Sequence, residues 1–305
     1  MLGGIGRVLV AFGVLLLLFV AYQLWGTGIQ ERRAQAALNR QLDELFGESP
    51  PAAVAEPDGG RPPTTTTTEP PPPPPEGDAV AVIRIPSIDL EKAVVEGVRV
   101  ADLKKGPGHY PSTPLPGQAG NAAIAGHRTT YGAPFYRLDE LDEGEEILVR
   151  TVQGEFRYVV DRVHVVRPDQ VEVLDQTEEP RLTLTTCEPR FSARERLIVS
   201  AVLEDEPVPA ATTTTTAPSE PGGDGEEDEP AETVTLDDQA GLSGDPAARW
   251  PTFWWGLAVV AVATVLWVLA RLWRPFWIYL GGSPAFLVVL FVFYENVSRL
   301  LPANI

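Results

Sequence analysis

The stretch RLTLTTCEPRFSARERLIVSAVL, residues 181–203, decides the fold. Its two ends, RLTLTTC and RERLIVSAVL, are short and rich in Leu, Thr, Val and Ile. The link between them contains Pro and Ser, so the stretch reads as two strands and a connection. Eight residues separate Cys187 from Arg196. If the strands are antiparallel neighbours, those two side chains stand side by side. The same pattern recurs upstream in AVAVIRIP (79–86), NAAIAG (121–126), EILVRTV (146–152) and EFRYVVDRVHVV (155–166). Only PFYRLDEL (134–141) reads as a helical turn. Many short strands punctuated by Gly, Pro and Asp suggest a barrel or a sandwich. Residues 80–203 carry 15 basic and 19 acidic side chains, so this globular segment is close to neutral.

The remainder of the chain has a different character. The whole has 305 residues, 30 Pro, 27 Gly, one Cys and a formal charge of −18. That charge excludes a generic basic nucleic-acid binder. A single Cys excludes an internal disulfide framework and a multi-cysteine metal site. From residue 204 to residue 245 there are 13 acidic and no basic residues, which reads as a solvated tether. Residues 48–78, with PPPPP and TTTTTEP, cannot build a core and read as a stiff spacer. Residues 8–25 (VLVAFGVLLLLFVAYQLW) are long enough to cross a bilayer, and no small-residue cleavage site follows, so an uncleaved anchor is expected. QERRAQAALNRQLDELF (30–46) has an apolar stripe of Ala37, Leu38, Leu42, Leu45 and Phe46, and is expected to form a stalk helix above the membrane. Two further apolar runs, 253–269 and 276–294, carry tryptophans near their ends, as interfacial aromatics do. Arg7, Arg271 and Arg274 orient these runs with the N-terminus and the hairpin turn in the cytoplasm and the β-domain outside; Arg32 and Arg33 oppose that orientation weakly. The resulting division is 1–28 anchor, 29–47 stalk, 48–78 linker, 79–204 β-domain, 205–250 acidic linker and 251–305 membrane hairpin.

Cys187 ends a strand pattern and is followed by Glu188 and Pro189, which places its thiol at a rim, where sites collect. A thiol nucleophile needs a proton partner and an oxyanion partner. Among the histidines, His164 lies inside a strand pattern and reads as structural, whereas His127 follows AAIAG at a strand-to-loop edge. Arg194 and Arg196 share strand parity, so geometry alone does not choose between them. Arg128 and Arg194 read as surface or salt-bridging residues. Glu188 disfavours a thiolate beside it by like-charge repulsion. The bland alternative is a buried, inert Cys in a non-enzymatic, membrane-anchored surface binding module.

NAAIAGHRTTYGAPFYRLDEL followed by LTLTTCEPRFSARERLIVSA resembles the sortases, the cysteine transpeptidases of Gram-positive surfaces. With HYPSTPLPGQAGN, the resemblance is to class E of actinobacteria. It implies a mainly β fold, a closed barrel of about eight strands with short helices; the apolar runs and Pro-rich stretches read above flank it as transmembrane helices and disordered linkers, and the two C-terminal spans are less typical of class E. It also implies Cys187 as nucleophile, His127 as general acid toward the leaving amine and Arg196 as the oxyanion residue. Tyr110 would border the substrate groove, and Thr186 would add a hydrogen bond to the thioester oxyanion. The implied partners are secreted proteins with an LPxTG- or LAxTG-like C-terminal signal, a lipid-linked peptidoglycan precursor and the membrane. No cofactor is implied. Asp139, Glu140, Asp142 and Glu143 read as a solvated turn rather than a calcium site. The rival L,D-transpeptidases carry a Ser/His-x-Gly-Cys motif, whereas Thr185 and Thr186 precede the Cys here.

Overall fold

The computed structural model describes residues 2–48, 74–209, 246–272 and 275–300. The central unit is a closed barrel of eight strands in the order β1-β2-β3-β4-β7-β8-β6-β5. These are β1 Ala79–Ile85, β2 Leu90–Glu96, β3 Gly108–His109, β4 Asn121–Ala125, β5 Glu146–Thr151, β6 Gly154–Val166, β7 Arg181–Glu188 and β8 Glu195–Leu203. The six strands read from sequence all form. Two were not read: β2, whose LEKAVVE alternates poorly, and β3, which has only two residues. Closure removes the choice between barrel and sandwich. It turns Ile83, Ile124, Ile147, Tyr158, Leu184 and Val199 into one interior cluster. Each such side chain contributes roughly 1.5–3 kcal/mol by burial. The expected helical turn shrinks to a 3-10 turn at Leu138–Glu140, and Leu138 seals the same core.

Most neighbouring strands are antiparallel, but the short β2–β3 pair and the β4–β7 pair run parallel, the latter in register from Asn121↔Arg181 to Ala125↔Thr185. Parallel neighbours need a long crossover, and residues 126–180 supply it with β5, β6 and their turns. Because both strands point the same way, the loop leaving β4 and the end of β7 meet at one rim of the barrel.

Helix α1 (Leu2–Ala21) continues through a π-helical turn at Tyr22–Gly26 into α2 (Thr27–Glu48). The apolar stripe expected to serve a stalk finds a partner. Leu38 and Leu42, with Phe46, pack on Ala79, Ala93 and Val95 of β1 and β2. Gln35 completes the join. Its Oε1 accepts from the Ala93 amide (2.9 Å), and its Nε2 donates to the Ala93 and Lys105 carbonyls (3.0 and 2.9 Å). Backbone groups buried at this seam are thereby satisfied. A short helix α3 (Val100–Leu103) precedes β3.

At the other end, helices α4 (Arg249–Leu272) and α5 (Pro275–Leu300) pack together. Arg249–Leu272 and Ile278–Leu300 are long and apolar enough to cross a membrane. Val260, Trp267, Leu287 and Phe291 point outward, an apolar exterior suited to lipid. The helices extend the expected runs at both ends, leaving between them residues 273–274, Arg274 included, which lie outside the described residues. Tyr22 packs with Val259, Leu290 and Tyr294, and the Tyr294 hydroxyl donates to the Leu15 carbonyl (2.7 Å), so the N-terminal helix joins the hairpin in one bundle. The linkers expected over 48–78 and 205–250 fall mostly in residues 49–73 and 210–245, outside the described residues.

Candidate active site

The backbone register builds the site. In the antiparallel pair β7–β8, Cys187 stands opposite Arg196, as the loop length predicts. In the parallel pair β4–β7, partners differ by sixty positions, so residue 127 falls level with residue 187 just past the last rung. The Gly126 amide continues the ladder to the Thr185 carbonyl (3.0 Å). Thr186 closes it, its hydroxyl donating to the Gly126 carbonyl at 2.7 Å. The only proton of that hydroxyl is therefore directed at the β4 end. His127, Cys187 and Arg196 lie in one row across three adjacent chain segments. All three are buried, at 2%, 0% and 0% exposure, which marks a polar constellation held inside protein.

Arg196 Nη1 donates to the carbonyls of Ala193 and Glu195 (3.0 and 2.8 Å), which fixes the guanidinium in the β7–β8 connection. Arg194 precedes β8 and is exposed. The structure thus separates two arginines that parity could not. Tyr110 packs with Cys187, Leu103, Ala123 and Ala125. Its hydroxyl is buried without a hydrogen-bond partner among the described residues. Burial raises its pKa; the nearby Arg196 charge opposes the rise and Cys187 adds to it. Tyr110 therefore remains a neutral donor well above neutral pH. The strand residue before it is locked in place. The His109 Nε2 lies 2.9 Å from the Pro114 carbonyl, and its Nδ1 lies 2.8 Å from Glu96.

Sequence reading treated Glu188 as a like charge beside the thiol and Arg128 as surface or salt-bridging. Arg128 is completely buried and pairs with both Glu188 (3.2 Å) and Asp139 (3.0 Å). The Glu188 charge is offset locally, which weakens the repulsion on Cys187. Asp139 also pairs with Arg190 (2.8 Å), so the acidic turn is partly consumed by ion pairs. His164 lies within β6 opposite Ile198, two positions before Val166, which pairs with Arg196, and burial lowers its pKa. Among the described residues, no group of three or more His, Cys, Asp or Glu is placed to hold a metal ion.

His127 opens a tight loop closed by a hydrogen bond from the Phe135 amide to the His127 carbonyl (3.1 Å). Phe135 is anchored in the barrel core. A Cβ at Gly126 would lie 2.5 Å from the Phe135 ring, so this close approach requires glycine. The His127 ring lies against Tyr131, with centroids 5.0 Å apart.

A nucleophilic thiol, an imidazole and a guanidinium in one row can form an acyl-enzyme, exchange a proton with a leaving group and stabilise an oxyanion. The Sortase domain family matches residues 83–204. Sortase SrtE1 of Streptomyces coelicolor is 33% identical over 220 residues, covering 66% of this chain and 57% of that protein. Residues 83–204 of the chain are a sortase domain. The domain is similar to SrtE1 and to Sortase SrtE2 of the same organism, which points to class E among the sortases. Sortase D of Bacillus subtilis is 36% identical over 114 residues, covering 37% of this chain and 56% of that protein. The chain thus spans little more than half the length of SrtE1 and Sortase D. Among solved structures, sortase E from Streptomyces avermitilis is 40% identical, with a TM-score of 0.39, covering 43% of this chain and 91% of that chain. Sequence reading missed the burial of Arg128 beside Glu188 and Tyr131 as a ring on His127. The TTYGAPF stretch held a turn signal at that place, because Gly132 and Pro134 punctuate it.

Proposed function

We propose that the chain is a membrane-anchored transpeptidase that joins secreted proteins to the cell wall. The Cys187 thiolate attacks the Thr carbonyl of an LPxTG- or LAxTG-like signal. Arg196 holds the oxyanion. The Thr–Gly bond breaks as His127 gives its proton to the departing Gly amine, leaving a thioester. An acceptor amine, that of a lipid-linked peptidoglycan precursor, then attacks the thioester. Its proton passes to His127, and the thiolate is released. Tyr110, a neutral donor beside Cys187, borders the substrate, and Thr186 lies beneath it, holding the β4 and β7 ends at a fixed spacing. The single observation that carries this reading is the row of His127, Cys187 and Arg196 produced by two strand registers.

The arrangement in the membrane belongs to the same proposal. The N-terminal helix and the C-terminal hairpin anchor the chain, the barrel of residues 79–204 lies outside the cell, and the hairpin turn faces the cytoplasm. The Pro/Thr-rich and acidic linkers tether the barrel on either side.

Incubating full-length protein with a panel of C-terminal sorting peptides, and reading the mass of Cys187-containing fragments, tests the reaction. A thioester is expected on Cys187 with release of the Gly-initiated fragment. The complete burial of Cys187 also suits the rival binding module, in which the thiol is inert. Absence of a thioester together with failure of a small electrophile to alkylate Cys187 in the folded protein would decide for that rival.

A further inference from the structure

The loop that carries His127 is held from outside the barrel. Its residues Tyr131, Gly132 and Ala133 have φ of +49°, +76° and +45°. Two non-glycine residues at positive φ on either side of a glycine are uncommon, and such backbone persists only where its surroundings fix it. The fixing groups lie on the membrane-proximal helices. The Tyr131 amide donates to Thr27 Oγ1 at 3.2 Å, while the Thr27 hydroxyl donates to Gln23 at 2.7 Å. The Tyr131 hydroxyl lies 3.2 Å from Ser298 Oγ, whose own proton is directed to the Glu295 carbonyl at 2.8 Å. Tyr131 is therefore the donor in that contact. A Cβ at Gly132 would lie 2.5 Å from Glu31, so the loop sits directly on α2. Tyr131 is 4% exposed although it belongs to a connecting loop, and its ring lies on His127.

From this geometry we infer that Tyr131 is a positioning residue: it latches the His127 loop to α2 through Thr27 and to the C-terminal membrane helix through Ser298. The anchor helices therefore set the placement of His127. The inference rests on the transpeptidase reading for its kinetic consequence, but not for its structural one. Thr27 stands where the N-terminal helix leaves the apolar bundle, and Ser298 lies near the end of α5. The latch joins α2 and the last described helix, α5, to one loop of the barrel.

The test uses full-length protein in nanodiscs. Tyr131→Phe keeps the ring on His127 and removes the hydroxyl. Ser298→Ala removes its acceptor, and Thr27→Val removes the acceptor for the Tyr131 amide. Each is expected to lower kcat for peptide cleavage by about threefold to tenfold, the size of one neutral hydrogen bond, with KM within about twofold. The Tyr131→Phe/Ser298→Ala double variant should fall no further than the worse single variant, because both remove one shared contact. Leu38→Ala loosens α2 elsewhere and serves as the control; it should lower the melting temperature without this kcat pattern. Hydrogen exchange of residues 127–135 should quicken in Ser298→Ala and Thr27→Val. Unchanged exchange in both overturns the latch, whatever the chemistry does. A wild type that forms no thioester overturns the transpeptidase reading and leaves exchange to decide the latch. Thioester formation with unchanged kcat in all three variants removes the kinetic role of Tyr131.

Discussion

The β7–β8 hairpin and the loop of residues 127–135 each deliver one side of the same site, by opposite means. In the hairpin, eight consecutive paired positions run from Arg181 to Glu188, so Cys187 and Arg196 are placed by backbone hydrogen bonds. In the loop, His127 is placed by tertiary contacts: Phe135 in the core, Arg128 between two carboxylates and Tyr131 on the helices. A ladder tolerates side-chain replacement because its bonds are main-chain. A loop held by side chains does not. The nucleophile side is therefore robust to substitution, and the proton-transfer side is open to adjustment by distant parts of the chain.

Cys187→Ala should break the comparison least in structure and most in chemistry. Thioester formation and cleavage should vanish while the melting temperature stays within a few degrees of wild type. Retained cleavage would remove Cys187 from the reaction. Next comes the arginine opposite it. Arg196→Ala should cost about 10²–10³ in kcat, as for loss of an oxyanion donor, whereas exposed Arg194→Ala should stay near wild type. Equal losses in steady-state assays would show that register does not select the working arginine. Arg128 lies on the seam between the two regions. Arg128→Met leaves Glu188 and Asp139 without their buried partner and should destabilise the fold by about 3 kcal/mol in denaturant unfolding. A loss under half of that would mean that the seam is solvent-screened. The smallest effect is alkaline. Burial raises the pKa of Tyr110 and of Tyr131 above the ordinary value of 10.0. The stability from keeping these phenols neutral is therefore complete below pH 10 and declines as pH rises past it, because the unfolded phenols ionise first. Tyr110→Phe should flatten the fall in melting temperature between about pH 10 and 11.5; an unchanged slope would mean that Tyr110 ionises freely.

The hairpin side was legible in sequence because its information is local. A Thr-rich strand, an eight-residue link and a second strand fix who faces whom. The loop side was legible only as a histidine at a strand edge. Its placement depends on a parallel register of sixty positions and on Thr27 and Ser298, separated from Tyr131 by 104 and 167 positions. No local pattern reports contacts of that range. The partner of the helix at 30–46 was hidden for a related reason. The stripe of Leu38 and Leu42 was correct, but nothing within 30–46 indicates that β1 and β2 are its partners. Arg128 reads in sequence as a surface or salt-bridging residue; its burial was hidden because charged side chains are seldom fully buried unless paired, and its partners Asp139 and Glu188 come from two other turns.

Gln35 has a consequence for where this protein can be cut. Strand β3 is only two residues long and pairs with β2 only at Val95 and Glu96. The rest of that flank of β2 would be an open sheet edge, and the Gln35 amide meets Ala93 there much as a neighbouring strand would. A side chain from a helix thus caps a template onto which a foreign strand could otherwise add. A fragment starting at the Pro-rich linker would keep every barrel strand yet lose this cap. It should self-associate through β2 even while its barrel remains closed. The smallest unit that stays monomeric therefore begins upstream of Gln35, not at the first strand.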